Sequence, residues 1–151
     1  STLTRIPGRK VDLAELVREE LVAHAARKDH YHVDGPDVAL SPHAAEVVTL
    51  AIHELATNSI KYGALGGTGY IRIVWSVSDR DGTSWLNLRW QETANVHKAS
   101  HIRKGFGRQM IEERVPYELH GEGQLTVHDT GVLAELDFPL SEAGSILETG
   151  M

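Results

Sequence analysis

The chain contains no cysteine. That excludes a disulfide framework and any metal centre built on thiolates, and it fits a reducing compartment. Long apolar runs are missing as well. No stretch approaches the ~20 residues that a membrane-crossing helix needs, and Ser1-Thr2-Leu3-Thr4-Arg5 lacks the plan of a signal peptide. A cytoplasmic location without a membrane segment is therefore the default expectation. Basic charge is in short supply, with 15 Lys and Arg against 21 Asp and Glu and a formal net charge of −6. A nucleic-acid binder normally carries a basic face, so no nucleic-acid partner is expected. Internal repeats and low-complexity segments are absent too. What remains, 151 residues of which 41% are apolar, suffices for the core of one globular domain.

Two local departures stand out from that composition. Between Thr93 and Ile111 the acidic residues vanish, while Lys98, Arg103, Lys104 and Arg108 are basic. The nine histidines are scattered, with only His30 and His32 close in sequence, so most of them read as surface or packing residues and not as a metal cluster.

The most informative stretch is His53-Glu54-Leu55-Ala56-Thr57-Asn58-Ser59-Ile60-Lys61-Tyr62-Gly63. Ser41-Pro42 supplies an N-cap followed by proline at the first helical position, and Gly63 stands where a left-handed residue would close a helix. The signals predict a helix over residues 42–62. Ala44, Val48, Ala51, Ile52 and Leu55 recur at helical spacing and give it one apolar face. Glu54, Thr57, Asn58 and Lys61 fall at i, i+3, i+4 and i+7 and form a polar line. An ordinary solvated helix face gives the same spacing. The functional alternative is a magnesium-bound polyphosphate: the oxygens of Glu54 and Asn58 can hold or orient the hydrated cation, and Lys61 can offset phosphate charge.

Residues 1–10 read as a linker stub, 11–140 as the domain and 141–151 as a tail. Asp12-Leu13-Ala14-Glu15 is a capping box, opening a helix whose stripe is Leu13, Leu16, Val17 and Leu21 and which should end near Arg27. Tyr31 to Asp34 and Val38 to Leu40 are short extended pieces split by Gly35-Pro36. After the central helix and the loop Ala64 to Gly69, a strand from Tyr70 to Ser78 turns at Asp81-Gly82 into a second strand carrying Leu86, Leu88 and Trp90. Gly105-Phe106-Gly107 precedes a third helix that Pro116 should kink or end. A final hairpin pairs Leu125 and Val127 with Val132, Ala134, Leu136 and Phe138. The order predicts an α+β fold in two layers, about three helices on one face of a mixed, mainly antiparallel sheet.

Three segments, at 54–62, 92–95 and 105–107, then meet where helix ends and strand ends come together. Glycines beside a helix start allow close backbone approach to a phosphate, although Gly105-Phe106-Gly107 equally makes a tight turn. Glu92 at a strand end can accept from an exocyclic amine or remain a solvated rim carboxylate. Together the three suit a nucleotide with a base at one end and phosphates at the other.

The stretch from His53 to Leu65 closely resembles the N-box of the HWE family of bacterial sensor histidine kinases. Trp90-Gln91-Glu92 resembles that family's Trp-x-Glu motif, and Gly105-Phe106-Gly107-Arg108-Gln109-Met110-Ile111 its second glycine box. The resemblance covers roughly residues 10 to 140. It implies the GHKL ATP-binding fold, an α/β sandwich with ATP under a mobile lid, here residues 93–104. It further implies that Asn58 ligates magnesium and that Glu54 assists the metal or polarises the attacking group. Lys61 and Tyr62 would border phosphates and ribose, Glu92 would take the adenine-amine position, and Lys104, Gly105, Phe106 and Gly107 would flank the phosphates, with His53 supporting the box. The implied partners are a dimerisation domain carrying the phosphoacceptor histidine and a response regulator. No acceptor box is recognisable here, and His24 reads as an ordinary helical histidine, so the expectation is a catalytic domain belonging to a longer sensor protein. Where the family has paired glycines this chain has Ala94-Asn95. Either Ala94 is strained or the loop takes another path, and a regulatory module that has lost nucleotide turnover is the alternative.

Overall fold

The structure is a computed structural model that describes residues 8–24, 26–94 and 106–140. The expected tail, most of the basic loop, and Lys104 and Gly105 lie outside the described residues. The chain runs β1 (Val11–Asp12), α1 (Leu13–Ala23), a short 3-10 turn, β2 (Tyr31–Asp34), β3 (Ala39–Leu40) and α2 (Pro42–Tyr62). It continues through β4 (Tyr70–Arg80), β5 (Thr83–Thr93), α3 (Phe106–Gln109), α4 (Val115–Leu119), β6 (Glu122–His128) and β7 (Gly131–Pro139). Five strands form one sheet in the order β2-β4-β5-β7-β6; β2 lies parallel to β4 and the other pairs are antiparallel. β1 and β3 make a separate antiparallel pair at the foot of α1.

Local chemistry explains most boundaries. The Asp12 side chain accepts a bond from Glu15 N at 2.9 Å and starts α1, which ends at Ala23, short of Arg27. There the His24 ring and backbone both turn back onto the Glu20 carbonyl, and Ala26 N reaches Leu21 O, so the last carbonyls are satisfied without further helix. Ser41 Oγ accepts from Ala44 N at 3.1 Å with Pro42 behind it, and α2 then runs its full expected length. Asp81 and Gly82 both have positive φ, 51° and 86°, the requirement of a two-residue hairpin that follows strand twist.

Pro116 departs from expectation. It does not end the third helix: a π-helical turn at Met110–Arg114 joins α3 to α4 and places Pro116 in the first turn of α4, which runs on to Leu119.

Alternation decides which sheet face carries the helices. Ile71, Ile73 and Trp75 of β4, Leu86, Leu88 and Trp90 of β5, and Ala134, Leu136 and Phe138 of β7 are buried against Leu16, Val17 and Leu21 of α1, Val48, Ile52 and Leu55 of α2, and Ile111 beside α3. The opposite face is polar: Arg89 bridges Glu135 at 3.3 Å and Asp137 at 3.1 Å, and Asn87 donates to Asp137 at 2.7 Å. Fully burying one large apolar side chain contributes about 1.5–3 kcal/mol, whereas a partly exposed ion pair contributes about 0–1 kcal/mol. The apolar seam therefore holds the layers together. At its edge Trp75 Nε1 donates to Pro36 O at 2.8 Å, and a Cβ on Gly35 would come within 2.3 Å of the indole. That close approach fixes the link from β2 to β3 across the sheet end.

Candidate functional site

The C-terminal half of α2 carries the site. Its apolar residues, Leu55 and Ala56 among them, face the core, so the helix rotation is set and Glu54, Asn58 and Lys61 turn away from it. Glu54, Asn58 and Tyr62 are half-buried and Lys61 is exposed. Thr57 leaves the line: its Oγ1 lies 3.4 Å from Nε2 of His24, the residue that caps α1. The row that turns outward from the core is thus Glu54, Asn58 and Lys61, one turn apart in succession.

Gly107 comes to Asn58. A Cβ on this buried glycine would lie 2.7 Å from Asn58 Nδ2, so the backbone of α3 rests directly on the carboxamide. The glycine lies inside the first turn of α3 and not before it. Its partners in sequence, Lys104 and Gly105, are outside the described residues, and Phe106 is placed only by its backbone. Arg108, counted with the basic loop by sequence, is occupied: Nη1 pairs with Glu112 at 3.0 Å and donates to Leu125 O at 2.9 Å.

Glu92 is 7% exposed and held by three donors. Ser59 Oγ–H and Ala64 N–H donate to Oε2 at 2.6 and 2.7 Å, and Trp90 Nε1–H donates to Oε1 at 3.0 Å. Ser59 in turn accepts from Leu65 N at 3.0 Å. One carboxylate at the end of β5 therefore fixes the last turn of α2 and the chain that leaves it, with charge-assisted bonds. This brace was not visible in sequence beyond the spacing of Trp90 and Glu92, which puts both on one strand face, and Ser59 on the buried side of α2.

Gly63 belongs to the same arrangement and corrects an expectation. Its φ is −132°, not left-handed, and α2 closes by Gly63 N–H donating to Ser59 O at 2.9 Å. Glycine is needed for space, because a Cβ would reach 2.0 Å from Glu92 Oε2. Ala94 shows no strain either: among the described residues only Asp81 and His120 have positive φ without being glycine. Ala94 N donates to Thr130 O at 3.0 Å, and Asn95 and the loop that follows lie outside the described residues.

His53, half exposed, stands one turn before Thr57 and faces α1, where its Nδ1 lies 3.5 Å from Glu20 Oε1. Its ring centroid is 4.9 Å from that of His24. The structure brings together Glu54, Asn58 and Gly107 on one side of α2, Ser59, Gly63 and Glu92 at its end, and His53 on the α1 side.

No family model matches the chain. Over 111 residues, 73% of the chain, it is 30% identical to a protein named blue-light-activated histidine kinase from Brucella ovis, and the match spans 23% of that relative. A protein of the same name from Rhizobium johnstonii is 28% identical over 130 residues, covering 85% of the chain and 36% of that relative. The chain thus spans well under half the length of these relatives. Among solved structures, the histidine kinase domain of the Erythrobacter litoralis blue-light activated histidine kinase superposes with a TM-score of 0.64 at 17% identity, covering 97% of the chain and 71% of that structure. The catalytic domain of histidine kinase ThkA gives 0.64 at 16% identity, covering 89% of the chain and 98% of that domain. ThkA in complex with response regulator protein TrrA gives 0.57 at 18% identity, covering 89% of the chain and 42% of that structure.

Proposed function

We propose, from the premise that this chain is a histidine-kinase catalytic domain by fold and by sequence kinship, that it binds Mg-ATP and presents the γ-phosphate to a histidine on a dimerisation domain. In this reading it belongs to a sensor kinase of the HWE type that works with a response regulator. The observation that supports it most is the seating of Gly107 on Asn58, because it brings the middle of the polar row and the described glycine of the motif together in space.

The residues suit a magnesium nucleotide. Glu54 and Asn58 lie one helical turn apart, half-buried, and offer oxygen donors of the kind magnesium prefers. Bound magnesium would supply charge neutralisation on the phosphate oxygens. Asn58 would hold the metal through its carbonyl oxygen, with Nδ2 turned to the α3 backbone, while Glu54 would orient a metal-bound water or the incoming imidazole. Lys61, exposed at the end of the row, would offset phosphate charge, and Tyr62 would border the ribose. Gly107 allows the approach of α3; Lys104, Gly105 and Phe106 would complete the phosphate end, and His53 would support the N-box from the α1 side. Glu92 would mark the adenine end. Oε1 accepts one bond, from Trp90, and retains a lone pair for an exocyclic amine. The domain's contribution is positioning, since phosphoryl transfer leaves the protein little covalent chemistry to perform.

A second reading draws on the same carboxylate. With three protein donors on Glu92, a regulatory module that keeps the fold and acts through protein contacts needs no base there. Phosphotransfer separates the two. Incubated alone with γ-labelled ATP, the chain should acquire no stable phosphohistidine; mixed with a dimerisation domain bearing an acceptor histidine, it should label that domain. Stoichiometric labelling of His24 or His53 in the isolated chain would overturn the donor-site assignment, and absence of label on the added domain would favour the regulatory module.

A further inference from the structure

Three side chains outside the nucleotide site converge between α1 and α2. Glu20 lies on α1, His24 caps its C-terminus one turn later, and His53 faces them from α2; one ligand atom from each lies within 4.8 Å of the others. Glu20 is 14% exposed, and its Oε1 is buried without a hydrogen-bond partner. It lies 3.5 Å from His53 Nδ1 and 4.0 Å from His24 Nδ1. Both are long for hydrogen bonds, whose usual limit is about 3.2 Å. The 3.5 Å between Glu20 Oε1 and His53 Nδ1 is close to the edge of a coordination tetrahedron, since two ligands each ~2.0–2.1 Å from a zinc ion stand about 3.3–3.4 Å apart.

The tautomer agrees. His24 Nδ1 lies 2.8 Å from Glu20 O, and a carbonyl oxygen only accepts, so Nδ1 carries the proton and Nε2 of the neutral ring keeps its lone pair, with Thr57 Oγ1 3.4 Å away, beyond the usual hydrogen-bond limit. A ligating histidine characteristically donates its other nitrogen to a backbone carbonyl in this way. We infer that Glu20, His24 and His53 form a binding site for a divalent transition metal ion of the zinc type, coordinated by Glu20 Oε1, His24 Nε2 and His53 Nδ1. Two imidazoles and one carboxylate select zinc, cobalt or nickel over magnesium or calcium, which take all-oxygen sets. His53 is 51% exposed, so the ion has an entry path and a fourth position open to water. The site ties α1 to α2 one residue before Glu54; it shares only His53, the proposed support of the N-box, with the nucleotide reading, and does not rest on that reading.

The test is titration of the metal-stripped full chain with zinc alone, against a chromogenic chelator and without nucleotide, in parallel with cobalt. One equivalent of zinc should bind, excess magnesium should not displace it, and cobalt should give the intense visible band of a tetrahedral site. His53→Ala and Glu20→Gln should each weaken zinc at least about tenfold. His30→Ala with His32→Ala should not, nor should Asn58→Ala, which touches the proposed magnesium row only. Glu20→Gln keeps volume and polarity, so its result stands even where His24→Ala fails to fold. Absence of the cobalt band, or zinc affinity unchanged in both His53→Ala and Glu20→Gln, overturns the assignment and leaves the trio as an ion pair.

Discussion

Removing the Glu92 carboxylate separates a brace from a base-binding group, because only the brace matters without nucleotide. In Glu92→Ala the Ala64 N–H and Trp90 Nε1–H, bonded at 2.7 and 3.0 Å in the wild type, lose their acceptor in a buried place. Each buried donor left unmade costs about 1–3 kcal/mol. Ser59 Oγ–H can rotate to another acceptor, and the variant no longer buries a charge, which offsets part of the loss. A net destabilisation of about 3 kcal/mol follows, and at about 2–4 °C per kcal/mol for a chain of this length Tm should fall by about 6–12 °C. Glu92→Gln keeps one oxygen but sets an amide N–H against one of the donors, for a cost of about 1–2 kcal/mol. The expected order in urea and thermal unfolding of the nucleotide-free chain is wild type, Gln, Ala. A loss below about 1 kcal/mol in Glu92→Ala would refute the brace and leave Glu92 as a ligand residue alone.

Gly107→Ala should weaken Mg-nucleotide by about tenfold, equivalent to 1.4 kcal/mol, because the new methyl would sit 2.7 Å from Asn58 Nδ2 and push the carboxamide aside; unfolding should change little, since alanine favours helix, and unaltered affinity would contradict the seating. Ser41→Ala should cost about 1 kcal/mol by removing the cap of α2, read as a Tm lower by about 2–4 °C. Ala94→Gly should not tighten nucleotide binding, because Ala94 has no left-handed strain to relieve; it should lower stability by about 0.4–1 kcal/mol through the freer unfolded chain, and a several-fold gain in affinity would contradict the unstrained backbone at Ala94.

Local signals survived folding where the chemistry was itself local. Ser41-Pro42, Asp12 and Asp81-Gly82 satisfy neighbouring backbone groups or fix neighbouring dihedrals, so the starts of α1 and α2 and the β4–β5 turn stood in the sequence. Alternation along Ile71, Ile73 and Trp75 gave the buried face, and the row of Glu54, Asn58 and Lys61 followed from helical period. Distance in sequence hid the rest. Gly63 carried a glycine for a reason lying 29 residues away, the oxygen of Glu92, so a capping rule gave the right residue with the wrong conformation. Parallel pairing of β2 with β4 crosses the whole of α2, and the two-residue strands β1 and β3 have no periodicity to read. His24 and His53 looked scattered because they are 29 positions apart, and only the packing of α1 on α2 brings both to Glu20. The π-helical turn ahead of Pro116 has no sequence signature comparable to proline's own.

Calorimetric titration of the full chain with a non-hydrolysable ATP analogue, with and without magnesium and in parallel on Asn58→Ala, tests the central claim most directly. Saturable one-to-one binding that strengthens with magnesium in the wild type, and keeps only its magnesium-independent part in a folded Asn58→Ala variant, is the predicted result. Binding that ignores magnesium, or that ignores the loss of Asn58, would contradict the account.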